Sequence, residues 1–166
     1  KYINSYALQY LWAGVKAEGE TYTYASRLRE PVDQITQVIE RYVKEPQDRQ
    51  LTMVIRQPQD IHKTLAGKKH EPPCLTVMDT ELLDGKMHLT CYFRSWDAYA
   101  GLPANIAGIQ VFNEALVSEL NDRAGTDYTT GELIFHSKNC HIYSRLNDLV
   151  EEIIAPGEDA RRQRKK

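Results

Sequence analysis

Cys74-Leu75-Thr76-Val77-Met78-Asp79-Thr80-Glu81-Leu82-Leu83-Asp84-Gly85-Lys86-Met87-His88-Leu89-Thr90-Cys91-Tyr92-Phe93-Arg94-Ser95 reads as two strands around one turn. Asp-Gly best supplies the positive φ angles of a two-residue hairpin turn, and both flanks are rich in strand formers. Cys74 therefore opens a strand, and a closed hairpin folds Arg94 back towards it.

Upstream, Val32, Ile35, Val38, Ile39, Tyr42 and Val43 follow helical spacing, and Pro31 stands where a first turn tolerates proline, so a helix is predicted over 31–43. Leu51 to Ile55 is short, rich in β-formers and closed by Gln57-Pro58, which marks a strand with a breaker behind it. Gln59 to His70 reads as a polar loop. Downstream, Ile106, Ile109, Phe112, Leu116, Val117 and Leu120 recur at three and four, giving a long buried helix from near Pro103. Asn121-Asp122 and Gly125-Thr126-Asp127 end it. Gly131 to Phe135 reads as a strand, His141 to Tyr143 as an extended arm and Leu146 to Ile154 as a last helix. The expected fold is α+β, a mixed sheet packed against helices with a long central helix. One domain over 1–155 and a basic, disordered tail over 156–166 are expected.

The chain has 166 residues and a formal charge of −2, enough length to bury one core and no charge excess that singles out a partner. Cys74, Cys91 and Cys140 have neither the number nor the spacing of a disulfide framework or a zinc site, which favours a cytoplasmic home. No apolar run approaches the roughly 20 residues of a membrane span, and no signal peptide is visible. Because the sequence opens on Lys1, its natural N-terminus is expected to lie upstream. The run Arg161-Arg162-Gln163-Arg164-Lys165-Lys166 lacks interleaved aromatics, so a solvated end is favoured over a nucleic-acid contact.

Pro72-Pro73 holds the chain extended ahead of Cys74 and presents the thiol from a fixed backbone, as suits a nucleophile. The competing reading is a small buried hydrophobe, which also fits Cys91 inside its apolar strand. Arg94-Ser95 sets a planar cation beside a hydroxyl, a pair matched to a phosphate, with a salt bridge from Arg94 to Asp97 or Glu71 as the structural alternative. Asn105 either caps the long helix or reads the edge of a uracil ring with its amide. His141 and Tyr143 alternate on one face, where they donate to sugar hydroxyls or form a half-buried polar strand face. No glycine-rich phosphate loop, catalytic Ser-His-Asp set or paired-His metal motif is present.

In this order, Pro73-Cys74, Arg94-Ser95-Trp96-Asp97, Gly101-Leu102-Pro103-Ala104-Asn105-Ile106-Ala107 and His141-Ile142-Tyr143 resemble the signature of thymidylate synthases. Tyr22-Thr23-Tyr24-Ala25-Ser26-Arg27-Leu28 resembles the shorter archaeal-type members. The resemblance implies that the Cys74 thiolate adds to C6 of dUMP, with 5,10-methylenetetrahydrofolate as co-substrate and no metal. It assigns the phosphate to Arg94 and Ser95, the uracil edge to Asn105, the ribose 3′-hydroxyl to His141 and Tyr143, and the pterin to Asp97. Tyr24 takes part in removing the C5 proton through ordered water. Arg49 reaches the partner subunit's phosphate, which implies a homodimer.

Departures from the family pattern are Gln50 for a second arginine, Leu75 for a histidine, Phe93 for a glutamine, Ser137-Lys138-Asn139 for Gly-Gly-Asp, and Arg145-Leu146 for Asn-His. The family's proton-relay glutamate would lie before Tyr22, where Glu18 and Glu20 are candidates by residue type only. The C-terminal segment that closes over the cofactor is not recognised after Ile154. Open to water, such a site delivers hydroxymethyl instead of methyl, so a pyrimidine nucleotide hydroxymethylase is the nearest alternative. A catalytically silent nucleotide- or RNA-binding relative is the third.

Overall fold

The computed structural model describes residues 7–16, 18–65 and 71–154. A π-helical turn, Ala7–Ala13, precedes α1 (Tyr24–Arg29). A reciprocal capping box starts α1: Ser26 N donates to Thr23 Oγ1 at 3.0 Å and Thr23 N to Ser26 Oγ at 2.9 Å. α2 (Gln34–Lys44) begins later than the predicted residue 31, because the Asp33 carboxylate accepts from Thr36 N at 3.0 Å and fixes the first turn there. β1 (Thr52–Val54) leads to α3 (Pro58–Leu65), which corrects the polar loop predicted from Gln59. Pro58 suits a first helical position, and Asp60 Oδ2 accepts from Gln57 N at 2.9 Å. Residues 66–70 of that predicted loop and the tail expected over 156–166 lie outside the described residues.

β2 (Leu75–Leu83) and β3 (Lys86–Phe93) form the expected hairpin, with φ of 50° at Asp84 and 72° at Gly85. β4 (Trp96–Asp97), α4 (Gly101–Ala124), β5 (Thr129–Ser137) and β6 (Cys140–His141) follow. Pro103 falls in the first turn of α4, where its missing N–H costs nothing, and Gly125 at φ 66° ends the helix. A 3₁₀ turn, Ser144–Leu146, opens into a helical stretch over 147–154.

The main sheet has the order β1-β2-β3-β5, antiparallel except for the parallel β3–β5 pair. β5 returns beside β3 only after the chain has crossed through α4. The register shifts between Leu75 and Val77, and this bulge brings Leu75 and Met78 to the same inner face despite their odd spacing. Met53, Leu75, Met78, Leu89 and Phe93 on that face are fully buried in one core with Ile39 and Tyr42 of α2 and Phe112 and Leu116 of α4. On the outer face, Val54 and Ile134 remain 47% and 50% exposed. β4 and β6 make a separate parallel pair, and that pair organises the site.

Candidate active site

Arg94 meets the Cys74 segment from the end of β3, as the hairpin requires. Its backbone N donates to Cys74 O at 2.9 Å. Its side chain donates from Nε to Pro73 O at 3.0 Å and from Nη2 to Pro72 O at 2.7 Å, with Nη2 3.7 Å from Cys74 Sγ. The guanidinium thus clamps the Pro-Pro backbone and stands beside the half-buried thiol, putting positive charge where a thiolate nucleophile needs it. Carbonyls rather than a carboxylate take these donors, so the salt bridge to Asp97 or Glu71 does not form. Nη1 is without a partner among the described residues.

Tyr22 belongs to the same cluster, although the sequence singled out only Tyr24. Burial pushes the Tyr22 phenol up to about 12; the Cys74 thiolate adds to the shift, while Arg94 and Arg27 oppose it. The Arg27 guanidinium lies 5.4 Å from the Tyr22 ring centroid and pairs with Asp60 through Nη2–Oδ1 at 2.8 Å. Sequence spacing gives no sign of this pair. Alternation in Tyr22-Thr23-Tyr24 was the one available signal for Tyr22.

A second group of side chains comes from β4, β6 and the residues beside them. Trp96 N donates to Asn139 O and Ala98 N to His141 O, both at 2.8 Å. Ser95 Oγ consequently lies 3.1 Å from His141 Nδ1, and the Tyr143 ring stands edge-on to His141 with centroids 5.1 Å apart. The Arg145 guanidinium lies over the ring of exposed Tyr143, 4.4 Å from its centroid. Ser95, His141 and Tyr143 therefore form one edge of hydroxyl, imidazole and phenol, suited to sugar and phosphate oxygens.

The remaining predicted residues divide. Asn105 lies in the first turns of α4, where its Oδ1 accepts from Trp96 Nε1 at 2.8 Å. No side-chain cap bond starts α4, so the capping alternative for Asn105 is not realised. Asp97 Oδ1 accepts from Tyr99 N at 3.1 Å and shapes the turn into α4. Tyr24 lines a cavity of about 540 Å³ with Tyr10, Glu20, Tyr22 and Glu71, and the Tyr10 hydroxyl donates to the Glu20 carboxylate there. Glu18 does not line it. Arg49 is not brought to Cys74; it borders a smaller cavity with Asp79, Glu81 and Thr90. Among the described residues, no His, Cys, Asp and Glu cluster is arranged to hold a metal ion, and no helix is long and apolar enough to cross a membrane.

The three thiols differ in surroundings. Cys91 is fully buried, and desolvation pushes its thiol up to about 12, whereas Cys74 is half-buried and Cys140 exposed. Iodoacetamide on the folded chain at mildly alkaline pH is expected to alkylate Cys74 and Cys140 and to spare Cys91 until denaturant is added. Peptide mass mapping checks this.

Residues 8–163 match the thymidylate synthase family. The chain belongs to that family. A protein provisionally named thymidylate synthase from Methanosarcina acetivorans is 35% identical over 155 residues, covering 92% of this chain and 66% of the relative. One of the same provisional name from Methanothermobacter marburgensis is 28% identical over 162 residues, covering 89% of this chain and 68% of its own length. The crystal structure of thymidylate synthase from T4 phage superposes with a TM-score of 0.64 at 30% identity, covering 78% of this chain and 42% of the phage chain. This thymidylate synthase family chain thus spans about two thirds of the length of its archaeal relatives and less than half of the phage protein. The mixed α+β architecture and the long helix α4 agree with the fold expected from the sequence.

Proposed function

We propose that this chain converts dUMP to dTMP, using 5,10-methylenetetrahydrofolate as co-substrate. The observation that supports the reading is the contact of Cys74 Sγ with Arg94 Nη2 at 3.7 Å, on a backbone held by the same guanidinium. Sulfur forms a bond to C6 of the pyrimidine, and the C5–C6 electron pair moves towards the 4-oxo group, so an inert ring becomes an enolate nucleophilic at C5. Asn105 meets the ring edge where that negative charge gathers. Ser95 and Arg94 Nη1 face the phosphate, and His141 with Tyr143 faces the ribose 3′-hydroxyl. Tyr24 assists removal of the C5 proton through ordered water. The cavity of about 540 Å³ beside this segment, with Tyr10, Tyr22 and Tyr24 in its wall, has the size and flat surfaces that fit a pterin ring; Asp97 does not line it and is assigned to the pterin by the family resemblance alone. When bound, the folate supplies the carbon and the hydride.

Arg49 supports a homodimer. At about 3.3 Å per strand residue, its neighbour Asp79 is roughly 16 Å along β2 from Cys74, too far for Arg49 to serve its own chain's nucleotide. It borders the outer sheet face instead, where half-exposed Val54 and Ile134 offer apolar surface to a second copy. We place the enzyme in the cytoplasm, consistent with three free cysteines.

Incubation with 5-tritiated dUMP and methylenetetrahydrofolate tests the reaction. The expected result is tritium release to water and a product with the mass of dTMP. A product heavier by one oxygen would make the chain a hydroxymethylase, and dUMP left with all its tritium would overturn the proposal.

A further inference from the structure

The Asn105 amide is held in one orientation. Trp96 Nε1 donates to Asn105 Oδ1 at 2.8 Å; an indole N–H only donates, so the amide oxygen must face it and the NH₂ group lies on the opposite edge. The indole itself is fixed. Trp96 is 5% exposed, stacked on Phe93 with centroids 4.2 Å apart and planes at 6°, and tilted against Phe135 at 5.3 Å. A Cβ at Gly101 would crowd Asp97 Cβ at 3.3 Å, so glycine lets the start of α4 pack tightly against β4.

We propose that Trp96 is a positioning residue that sets the amide orientation of Asn105 and thereby makes the site select a 4-oxo over a 4-amino pyrimidine nucleotide. The inference rests on the dUMP reading above and deepens it. An asparagine amide offers either a donor or an acceptor to a ring, depending on which way it is turned. A 4-oxo group accepts, and the NH₂ group meets it with the amide as Trp96 holds it. A 4-amino group donates, so the amide would have to turn over, breaking the indole bond and setting N–H against N–H.

Trp96→Phe keeps an aromatic ring in the stack and removes the donor. Calorimetric binding of dUMP and dCMP to the wild type is expected to favour dUMP, and the variant is expected to lose about tenfold of that preference. A general packing defect would weaken both nucleotides alike. In an Asn105→Asp background there is no amide to orient, so the same Trp96→Phe change should leave the ratio of the two affinities unaltered. A second measurement uses the unaltered chain: the Trp96 indole N–H should stay protected from hydrogen exchange with dUMP bound and lose protection when dCMP is saturating. A dUMP preference that survives Trp96→Phe, or an indole equally protected by both nucleotides, overturns the positioning role while leaving the dUMP reading intact. A wild type that binds neither nucleotide overturns both.

Discussion

Replacing Cys74 by serine is expected to lower tritium release from 5-tritiated dUMP on the order of 10³-fold or more, while dUMP binding changes little. A hydroxyl is almost the size of a thiol but gives up its proton far less readily, so the variant keeps the shape of the site and loses the nucleophile. The clamp around position 74 does not depend on sulfur, because Arg94 also holds Pro72 O, Pro73 O and the backbone at Cys74. Binding therefore separates from chemistry, and calorimetry beside the tritium assay shows both. Retention of a tenth of wild-type exchange in Cys74→Ser would remove Cys74 from the covalent role.

Replacing Asp60 by alanine is expected to destabilise the fold by about 3–5 kcal/mol, the usual cost of leaving one member of a buried ion pair alone. The Asp60 side chain is 0% exposed and that of Arg27 12%, at 2.8 Å. Asp60 also accepts from Gln57 N at the start of α3, so the alanine variant leaves the Arg27 guanidinium beside Tyr22 with no carboxylate, only the Gln57 side-chain oxygen, and loosens a helix start together. Asp60→Asn keeps an acceptor and should cost less. Urea unfolding followed by circular dichroism measures both, and an alanine variant within about 1 kcal/mol of wild type would show that the pair contributes little.

The parts of this fold that local chemistry dictates were legible in the sequence. Asp84-Gly85 fixed the hairpin, because few other dipeptides accept two left-handed residues, and the three-and-four spacing from Ile106 to Leu120 revealed α4. α3 escaped because its eight residues include only two apolar ones, Ile61 and Leu65, four apart, too short a pattern to tell a helix from a polar loop; Ile61 is 55% exposed, and the helix is anchored by the buried Asp60 carboxylate. The start of α2 moved to Gln34 because a cap bond from Asp33 outweighs the tolerance of Pro31 for a first turn. At the site, Cys74 and Arg94 were legible as a pair because a hairpin joins them. The meeting of Ser95 with His141 depends on a parallel pairing that residue spacing cannot supply; only the family resemblance placed both on the nucleotide. The Arg94 bonds to two proline carbonyls and the Trp96 bond to Asn105 are tertiary contacts with no sequence pattern of their own.

Ser95 and His141 are separated by 46 positions, and they meet only once α4 has packed and β5 has aligned with β3. Closing so long a loop is entropically costly, and non-local parallel pairing forms slowly, so the edge of Ser95, His141 and Tyr143 is expected to be among the last parts of the molecule to assemble. On the proposed function, a phosphate and sugar held by Ser95, His141 and Tyr143 would tie the crossover shut. Nucleotide occupancy should then raise the melting temperature by mass action, and the empty chain should open first along this seam.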